Sequence, residues 1–371
     1  MKTLLIDINS ITPLFTKGFL FGVGRSTYEL IKALDNLEDI PFKIILYSQN
    51  TKGIGVKNLN TKFKTMHLWF PNRPKYNKIR DFFRLRKLIS GYDLYHIPHN
   101  TDKTDDIRNT IFTIHDLIVM HYPEMWGLTD KDREEFKYIA KNCKSIVTCS
   151  EASKKDIVHF WNVPEQKVKV IYWGLDREKC KPNPNDTLFK SIPGIRNGFF
   201  FCASCNHERK NTPLLLGAFR KYIEKGGKHQ LVLLSPSTKD IDDYKDLIDS
   251  NQLIIVRGID DSMLISLYRN AVASIVVSLY EGFGFPVLES LGCHTQVICA
   301  RNSSLTEVGG NVVDYLEDLS VESLASKLSS YDFIDKQYRI DKNKVERHLS
   351  KFTWDKCAKE YVKFWAQLLN K

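Results

Sequence analysis

The chain has 371 residues, 43% of them hydrophobic, and a formal net charge of +10. This length and apolar content exclude a disordered chain and favour two globular domains of similar size. No apolar run approaches the roughly 18–20 residues of a membrane span, so we predict a cytoplasmic protein without a signal peptide.

Strands and helices alternate through the first half of the chain. Short apolar runs predict strands, and a helix is predicted over residues 25–34, soon after the first strand. The predicted strands lie at 3–8, 42–47, 94–98, 109–114, 145–149 and 168–172. Such alternation is typical of βα units that build a parallel sheet.

Residues 62–87 combine positive charge with aromatic side chains. Nine Lys and Arg residues stand there against the single acid Asp81, with six aromatic residues between them. This composition suits the surface of an anionic membrane, although a solvated helix on a basic protein gives the same pattern. We expect no nucleic-acid partner, because no nucleic-acid motif accompanies the charge.

The second half repeats the alternation after a polar, proline-containing stretch at 174–197, which we interpret as a linker. Strands are predicted at 199–203, 230–234, 253–256 and 273–277, and helices at 213–224, at 263–270 and from Pro286 onward. A further helix is predicted over 352–369. The eight scattered cysteines, including Cys202 and Cys205, show no disulfide-like spacing and indicate a reducing compartment.

The strongest functional signal lies where the strand at 273–277 meets the helix that begins near Pro286. A Gly-Phe-Gly turn, Gly282–Gly284, joins them; Glu281 opens the turn and Glu289 follows it within the helix. A strand, a glycine turn and a helix start present backbone N–H groups to an anion or a sugar hydroxyl.

This segment resembles the Glu-(seven residues)-Glu signature of glycosyltransferase family 4, whose members are retaining, nucleotide-sugar-dependent enzymes with the GT-B fold. The resemblance implies an α/β chain with two Rossmann-like doubly wound domains facing a cleft. It implies an acceptor-side domain over 1–174, a nucleotide-sugar domain over 175–350, and a C-terminal helix over 351–371 that crosses back to the first domain.

Further motifs are similar to those of the family. Gly22 and Gly24, in the stretch that begins with Phe21, follow the first strand and open a helix. His115 ends a strand at its carboxyl edge, where α/β folds place ligands. Arg209 and Lys210 form a pair suited to a diphosphate, because guanidinium grips phosphate oxygens bidentately and ammonium adds a point charge.

The resemblance implies a role for each of these positions. Glu281 and the N–H groups of Phe283 and Gly284 would hold the donor sugar, and Glu289 the ribose. Arg209 and Lys210 would stabilise the leaving diphosphate, and His115 would contact the sugar or the acceptor. The remaining implied donor-binding residues are Gly22, Gly24, Gly282, Phe285, Ser304 and Leu305.

No metal or cofactor is expected, since neither Asp130-Lys-Asp132 nor Asp240-Ile-Asp242 directly ends a strand as a metal-holding donor loop would. We therefore expect a metal-independent NDP-sugar hexosyltransferase acting on a saccharide or lipid-linked saccharide, in surface polysaccharide or glycolipid synthesis, peripheral to the cell membrane. Thr306, His294 and Gln296 depart from the family pattern. They leave open a catalytically inactive scaffold or sugar-nucleotide sensor of the same fold; a nucleotide-sugar epimerase is a further alternative without an identifiable acid/base set.

Overall fold

The computed structural model describes residues 1–18, 20, 22–53, 59–99, 104, 106–333 and 340–370. The chain divides into two compact units, one comprising Met1–Gly174 with Trp354–Lys371 and the other Leu175–Thr353. Phe21 and the side chain of Lys75, both part of the predicted segments, lie outside the described residues.

The first unit is built on a parallel sheet whose described strands run in the order β3-β2-β1-β4-β5-β6-β7. The strands are β1 (Thr3–Asp7), β2 (Lys43–Gln49), β3 (Lys64–Leu68), β4 (Leu94–Ile97), β5 (Thr110–Thr113), β6 (Ser145–Thr148) and β7 (Val168–Val170). Its helices are α1 (Thr12–Lys17), α2 (Gly22–Asp35), α3 (Pro74–Phe82), α4 (Leu85–Ser90), α5 (Ile118–His121), α6 (Pro123–Trp126), α7 (Asp130–Asn142) and α8 (Glu151–Trp161).

The second unit repeats this plan with described strands in the order β10-β9-β8-β11-β12-β13. These are β8 (Phe199–Cys202), β9 (Gln230–Leu234), β10 (Leu253–Val256), β11 (Ala273–Val276), β12 (Gln296–Cys299) and β13 (Asp314–Tyr315). The remaining helices are α9 (Thr212–Glu224), α10 (Thr238–Ile241), α11 (Lys245–Asp249), α12 (Asp261–Asn270), α13 (Phe285–Gly292), α14 (Leu305–Gly309), α15 (Val321–Ser330), α16 (Lys342–Leu349) and α17 (Trp354–Leu369), of which α17 belongs to the first unit.

Each sheet is buried on both faces, which explains the continuous apolar runs of its strands. In the first unit α17 packs on α2, and Trp365, fully buried, lies edge-on to His96 of β4 with ring centroids 5.4 Å apart. The prediction of two Rossmann-like doubly wound domains is confirmed. The segment at 174–197 is not a free linker, because Phe189 is buried and its N–H donates to Ser266 Oγ at 3.0 Å.

Three strands were not predicted. β3 extends the first sheet beyond β2 and lies inside the basic segment, while β12 and β13 extend the second sheet beyond β11. Among the described helices none is long and apolar enough to traverse a bilayer.

Candidate functional site

The acid-bearing turn lies at the carboxyl edge of the second sheet, between β11 and α13. Gly284 precedes the helix with φ +116°, a conformation that a residue with a side chain rarely adopts. A Cβ atom there would also lie 3.2 Å from Leu305 Cδ2. Pro286 follows in the first turn of α13, where its missing N–H has no helical partner to lose.

Glu281 is buried, with a relative exposure of 7%. One carboxylate oxygen, Oε1, accepts hydrogen bonds from Lys210 Nζ at 2.5 Å and from Ser278 Oγ at 2.7 Å. The other, Oε2, accepts from Arg209 Nη1 at 2.8 Å. The carboxylate is therefore the common partner of both cations.

Burial of Glu281 opposes its ionisation, but the positive charges of Lys210 and Arg209 outweigh this and lower its pKa to about 2. Glu281 is thus a carboxylate at every physiological pH. As an anion it can only accept hydrogen bonds, which suits contact with sugar hydroxyls.

Arg209 and Lys210 reach this carboxylate from the loop that follows β8, the neighbour of β11 in the sheet. A short 3₁₀ turn at Glu208–Lys210 precedes α9, and Asn211 joins the two with φ +58°. The N–H of Leu279 donates to the Arg209 carbonyl at 2.8 Å, so the two loops are also joined through their backbones. Lys210 is buried, with 7% exposure, whereas 24% of the Arg209 side chain is exposed.

The residues at the start of α14 support the glycine turn through hydrogen bonds and packing. Ser304 Oγ lies 2.7 Å from the carbonyl oxygens of both Glu281 and Phe283, which share its single O–H donor. Ser304 and Leu305 are fully buried, so both support the turn from within the domain. The hydroxyl of Ser304, which we predicted to bind the donor, makes these two bonds to the turn itself.

Three residues that position Glu281 were missed in the sequence. Ser278 bonds the carboxylate, Ser303 Oγ accepts from the Glu281 N–H at 3.0 Å, and Asn302 Nδ2 donates to the Ser278 carbonyl at 3.0 Å. Ser278 opens the motif segment and could have been noticed there. Nothing in the local sequence singles out Asn302.

The other predicted donor residues lie near the turn in the chain. Glu289 is buried in α13, one turn after Phe285. Phe283 is also buried, and its ring packs edge-on to those of Phe285 and Phe352, with centroids 5.3 and 6.1 Å away. Gly282 is half-buried between Glu281 and Phe283.

The first unit contains the remaining predicted site residues. His115 is buried, with Nε2 3.2 Å from the Pro98 carbonyl and its ring centroid 5.0 Å from that of Trp173. Burial lowers the pKa of His115 to about 4, so the imidazole is neutral at physiological pH. A Cβ at Gly24 would lie 2.5 Å from the Ser10 carbonyl oxygen, so this glycine is required by packing; at Gly22 there is open space.

The basic segment is only partly a surface feature. Arg80 and Arg86 have 1% exposure and both pair with Asp81 Oδ1 at 2.7 Å, so these two basic residues do not reach the surface. The apolar side chains around them are instead exposed, with Phe82 at 81% and Leu88 at 77%.

Within the part of the chain that the structure describes, no group of three or more His, Cys, Asp or Glu side chains could hold a metal ion. Asp132 of the first Asp-x-Asp sequence caps α7 by accepting from Thr129. All eight cysteines are buried and unbridged. Ser150 caps α8 by accepting from the Ser153 N–H.

Two family descriptions match the chain: Glycosyltransferase Family 4 over residues 22–179 and Glycosyl transferases group 1 over residues 196–331. The O-antigen chain mannosyltransferase B of Escherichia coli is 22% identical over 282 residues, which are 72% of this chain and 71% of that protein. The MMP alpha-(1->4)-mannosyltransferase of Mycolicibacterium hassiacum is 26% identical over 232 residues, 61% of this chain and 54% of that protein.

Solved structures share the fold along the whole chain. Sucrose-phosphate synthase from Thermosynechococcus elongatus superposes with a TM-score of 0.76 at 16% identity, covering 100% of both chains. HepE of Anabaena, solved in complex with UDP and glucose, superposes with a TM-score of 0.72 at 16% identity, covering 99% of this chain and 100% of that one.

Proposed function

This chain belongs to glycosyltransferase family 4 and has the GT-B fold, and from that premise we propose that it transfers a hexose from an NDP-sugar to a saccharide or lipid-linked saccharide. The transfer retains anomeric configuration and needs no metal ion. The observation that supports this best is the buried group of Glu281, Arg209 and Lys210 beside the glycine turn.

The chemistry of the transfer calls for positive charge where the diphosphate leaves. As the bond between the sugar and the diphosphate breaks, negative charge grows on the phosphate oxygens, and fixed cations at this place stabilise the transition state more than the ground state. Arg209 and Lys210 supply two such charges from one loop, in the role that a divalent ion has in other transferases.

Glu281 would hold the donor sugar, since an ionised carboxylate accepts hydrogen bonds from sugar hydroxyls. Glu289 would hold the ribose from α13. In the first unit, His115 is neutral at physiological pH, so it would contact the sugar or the acceptor through hydrogen bonds and not as a cation. A covalent enzyme nucleophile has no part in this proposal.

The relatives favour mannose as the transferred sugar and surface polysaccharide synthesis as the setting, since O-antigen chain mannosyltransferases are among the matches. Because HepE was solved in complex with UDP-glucose, UDP-sugars are among the donors to be tested.

We also propose that the enzyme works at an anionic membrane surface, through the segment 62–87. The exposed side chains of Phe82 and Phe83 (81% and 61%) can enter the interface between headgroups and acyl chains, and the exposed Arg84 beside them can meet lipid phosphates.

The transfer proposal is tested by incubating the pure protein in EDTA with UDP-, GDP- and ADP-sugars and following NDP release. Slow release from one donor, lost in Lys210→Met but kept in Lys221→Met, supports it. Lys221 is a matched control because it is a lysine of the same unit that pairs with the exposed Glu322. Binding of a donor without release, even with candidate saccharide acceptors, would favour a sugar-nucleotide sensor. NDP release that occurs without EDTA and is abolished by it would refute metal independence.

A further inference from the structure

The two cations and Glu281 form a closed set of charges inside the second unit. Lys210 and Glu281 have 7% and 8% of their side chains exposed, and their charged atoms are 2.5 Å apart. Removing two charges from water is costly unless they neutralise each other, so this pair depends on its own contact. With Arg209 added, the three groups carry a net charge of +1.

Arg209, unlike Lys210, has exposed surface and further N–H donors with which it can bind a ligand. Its guanidinium bonds within the described residues run through Nη1 alone, to Glu281 Oε2 at 2.8 Å and to the Tyr280 carbonyl at 3.2 Å. A guanidinium has five N–H donors, and 24% of this side chain is exposed. An anion can therefore bind Arg209 without first displacing Glu281.

We propose that Glu281 acts, in addition to any contact with the sugar, as the counterion that holds Arg209 and Lys210 in place while the diphosphate is absent. The diphosphate then competes with the carboxylate for the same two cations. This inference rests on the proposed function only in naming the anion as a nucleoside diphosphate.

The proposal has a consequence opposite to that of a simple binding residue. A negative charge next to the two cations weakens their hold on the diphosphate, so removing it should strengthen the binding of NDP without a sugar. Opposite charges a few ångströms apart at a partly buried site interact strongly enough to change affinity by at least tenfold, or ~1.4 kcal/mol. If Glu281 only contacted the sugar, NDP affinity would not change.

The test measures binding of UDP, GDP and ADP by titration calorimetry to wild type, Glu281→Gln, Lys210→Gln and the double variant. Counting charges on the three groups gives +2 for Glu281→Gln, +1 for wild type and the double variant, and zero for Lys210→Gln. NDP affinity should follow that order, with Glu281→Gln binding about tenfold more tightly than wild type and Lys210→Gln at least tenfold more weakly.

If Glu281→Gln does not fold because its lysine is unpaired, the double variant provides the test. It leaves no unpaired charge at the buried pair, and it should recover the NDP affinity that Lys210→Gln alone loses. A double variant that binds as weakly as Lys210→Gln overturns the counterion role, and so does a folded Glu281→Gln that binds NDP no more tightly than wild type. Wild type that binds none of the three nucleotides overturns the donor-site assignment itself, and the counterion role with it.

Discussion

Gly284 gives a strict test of how the glycine turn supports the site. Its φ of +116° lies far from the left-handed well near +57° that other residues tolerate, so alanine there should cost about 2–3 kcal/mol of stability. The new Cβ would also lie 3.2 Å from Leu305 Cδ2, in a fully buried side chain with little room to move. We expect Gly284→Ala to destabilise the second unit and to shift the Glu281 carboxylate.

Gly226→Ala is the matched control, because Gly226 lies in the same unit, has φ +84° and has no atom within 4 Å of the added Cβ. It should cost only about 1–2 kcal/mol, the ordinary penalty of the left-handed conformation. Urea unfolding followed by circular dichroism compares the two variants. All six tryptophans lie in the first unit, so tryptophan fluorescence would report mainly on the other domain.

Activity separates the two glycines further. Gly284→Ala should lower kcat/KM for the donor by at least tenfold, whereas Gly226→Ala should retain wild-type turnover. If Gly284→Ala loses no more stability than Gly226→Ala and transfers sugar at the wild-type rate, the strained turn does not position Glu281 as we argue.

Three further predictions concern charge and surface. The folded-state pKa of Glu281 lies near 2, below its ordinary value of 4.5. Its ionisation therefore stabilises the fold by roughly 3 kcal/mol above about pH 4.5, and this stabilisation is lost as the pH falls toward 2. The difference in unfolding free energy between wild type and Glu281→Gln should shrink over that window, and a constant difference would contradict the ion pair. The pKa of His115 is lowered from 6.5 to about 4, so the unfolded chain takes up the proton first and the free energy of unfolding falls as the pH drops from 6.5 to 4. In urea titrations, His115→Gln should remove up to ~1.4 kcal/mol per pH unit of that pH dependence. An unchanged slope would refute the view that His115 is buried in its neutral form. Phe82→Glu should reduce co-sedimentation with phosphatidylglycerol-containing vesicles about tenfold, because it places a negative charge at the membrane interface. Phe333→Glu, at an equally exposed phenylalanine of the second unit, should leave co-sedimentation unchanged. Equal binding of the two variants would exclude the segment 62–87 as the membrane contact.

Much of the fold was predictable because buried parallel strands appear in sequence as continuous apolar runs. Each of the ten predicted strands is present, with its ends shifted by at most two residues. Three strands were not predicted for other reasons. β3 is a half-buried edge strand with a charged first residue, and β13 has only two residues. β12 is buried, but its apolar run is short and follows the polar residues from His294 to Gln296.

The candidate site was predictable as a set of residue types but not as an arrangement. Arg209 and Glu281 are 72 positions apart and meet because β8 and β11, which are not consecutive in sequence, are neighbours in the sheet. Local pattern contains no information about that pairing. The burial of Arg80 and Arg86 was missed for the same reason, since Gln49 of β2 and Tyr95 of β4, which accept their hydrogen bonds, lie in other parts of the sequence.

The buried pair of Lys210 and Glu281 needs a reason other than stability. Replacing a buried ion pair by apolar residues of similar volume is often neutral or stabilising, so stability alone gives no reason for Lys210 and Glu281 in an interior otherwise packed with leucine, valine and phenylalanine. The turn already has neutral support from Ser303 and Ser304, which bond its backbone without any charge. What neutral groups cannot provide is a cation that is fixed before the anion arrives. A lysine held by a carboxylate is already in position when the diphosphate arrives, and preorganised charge of this kind is what lowers the barrier of a transfer reaction.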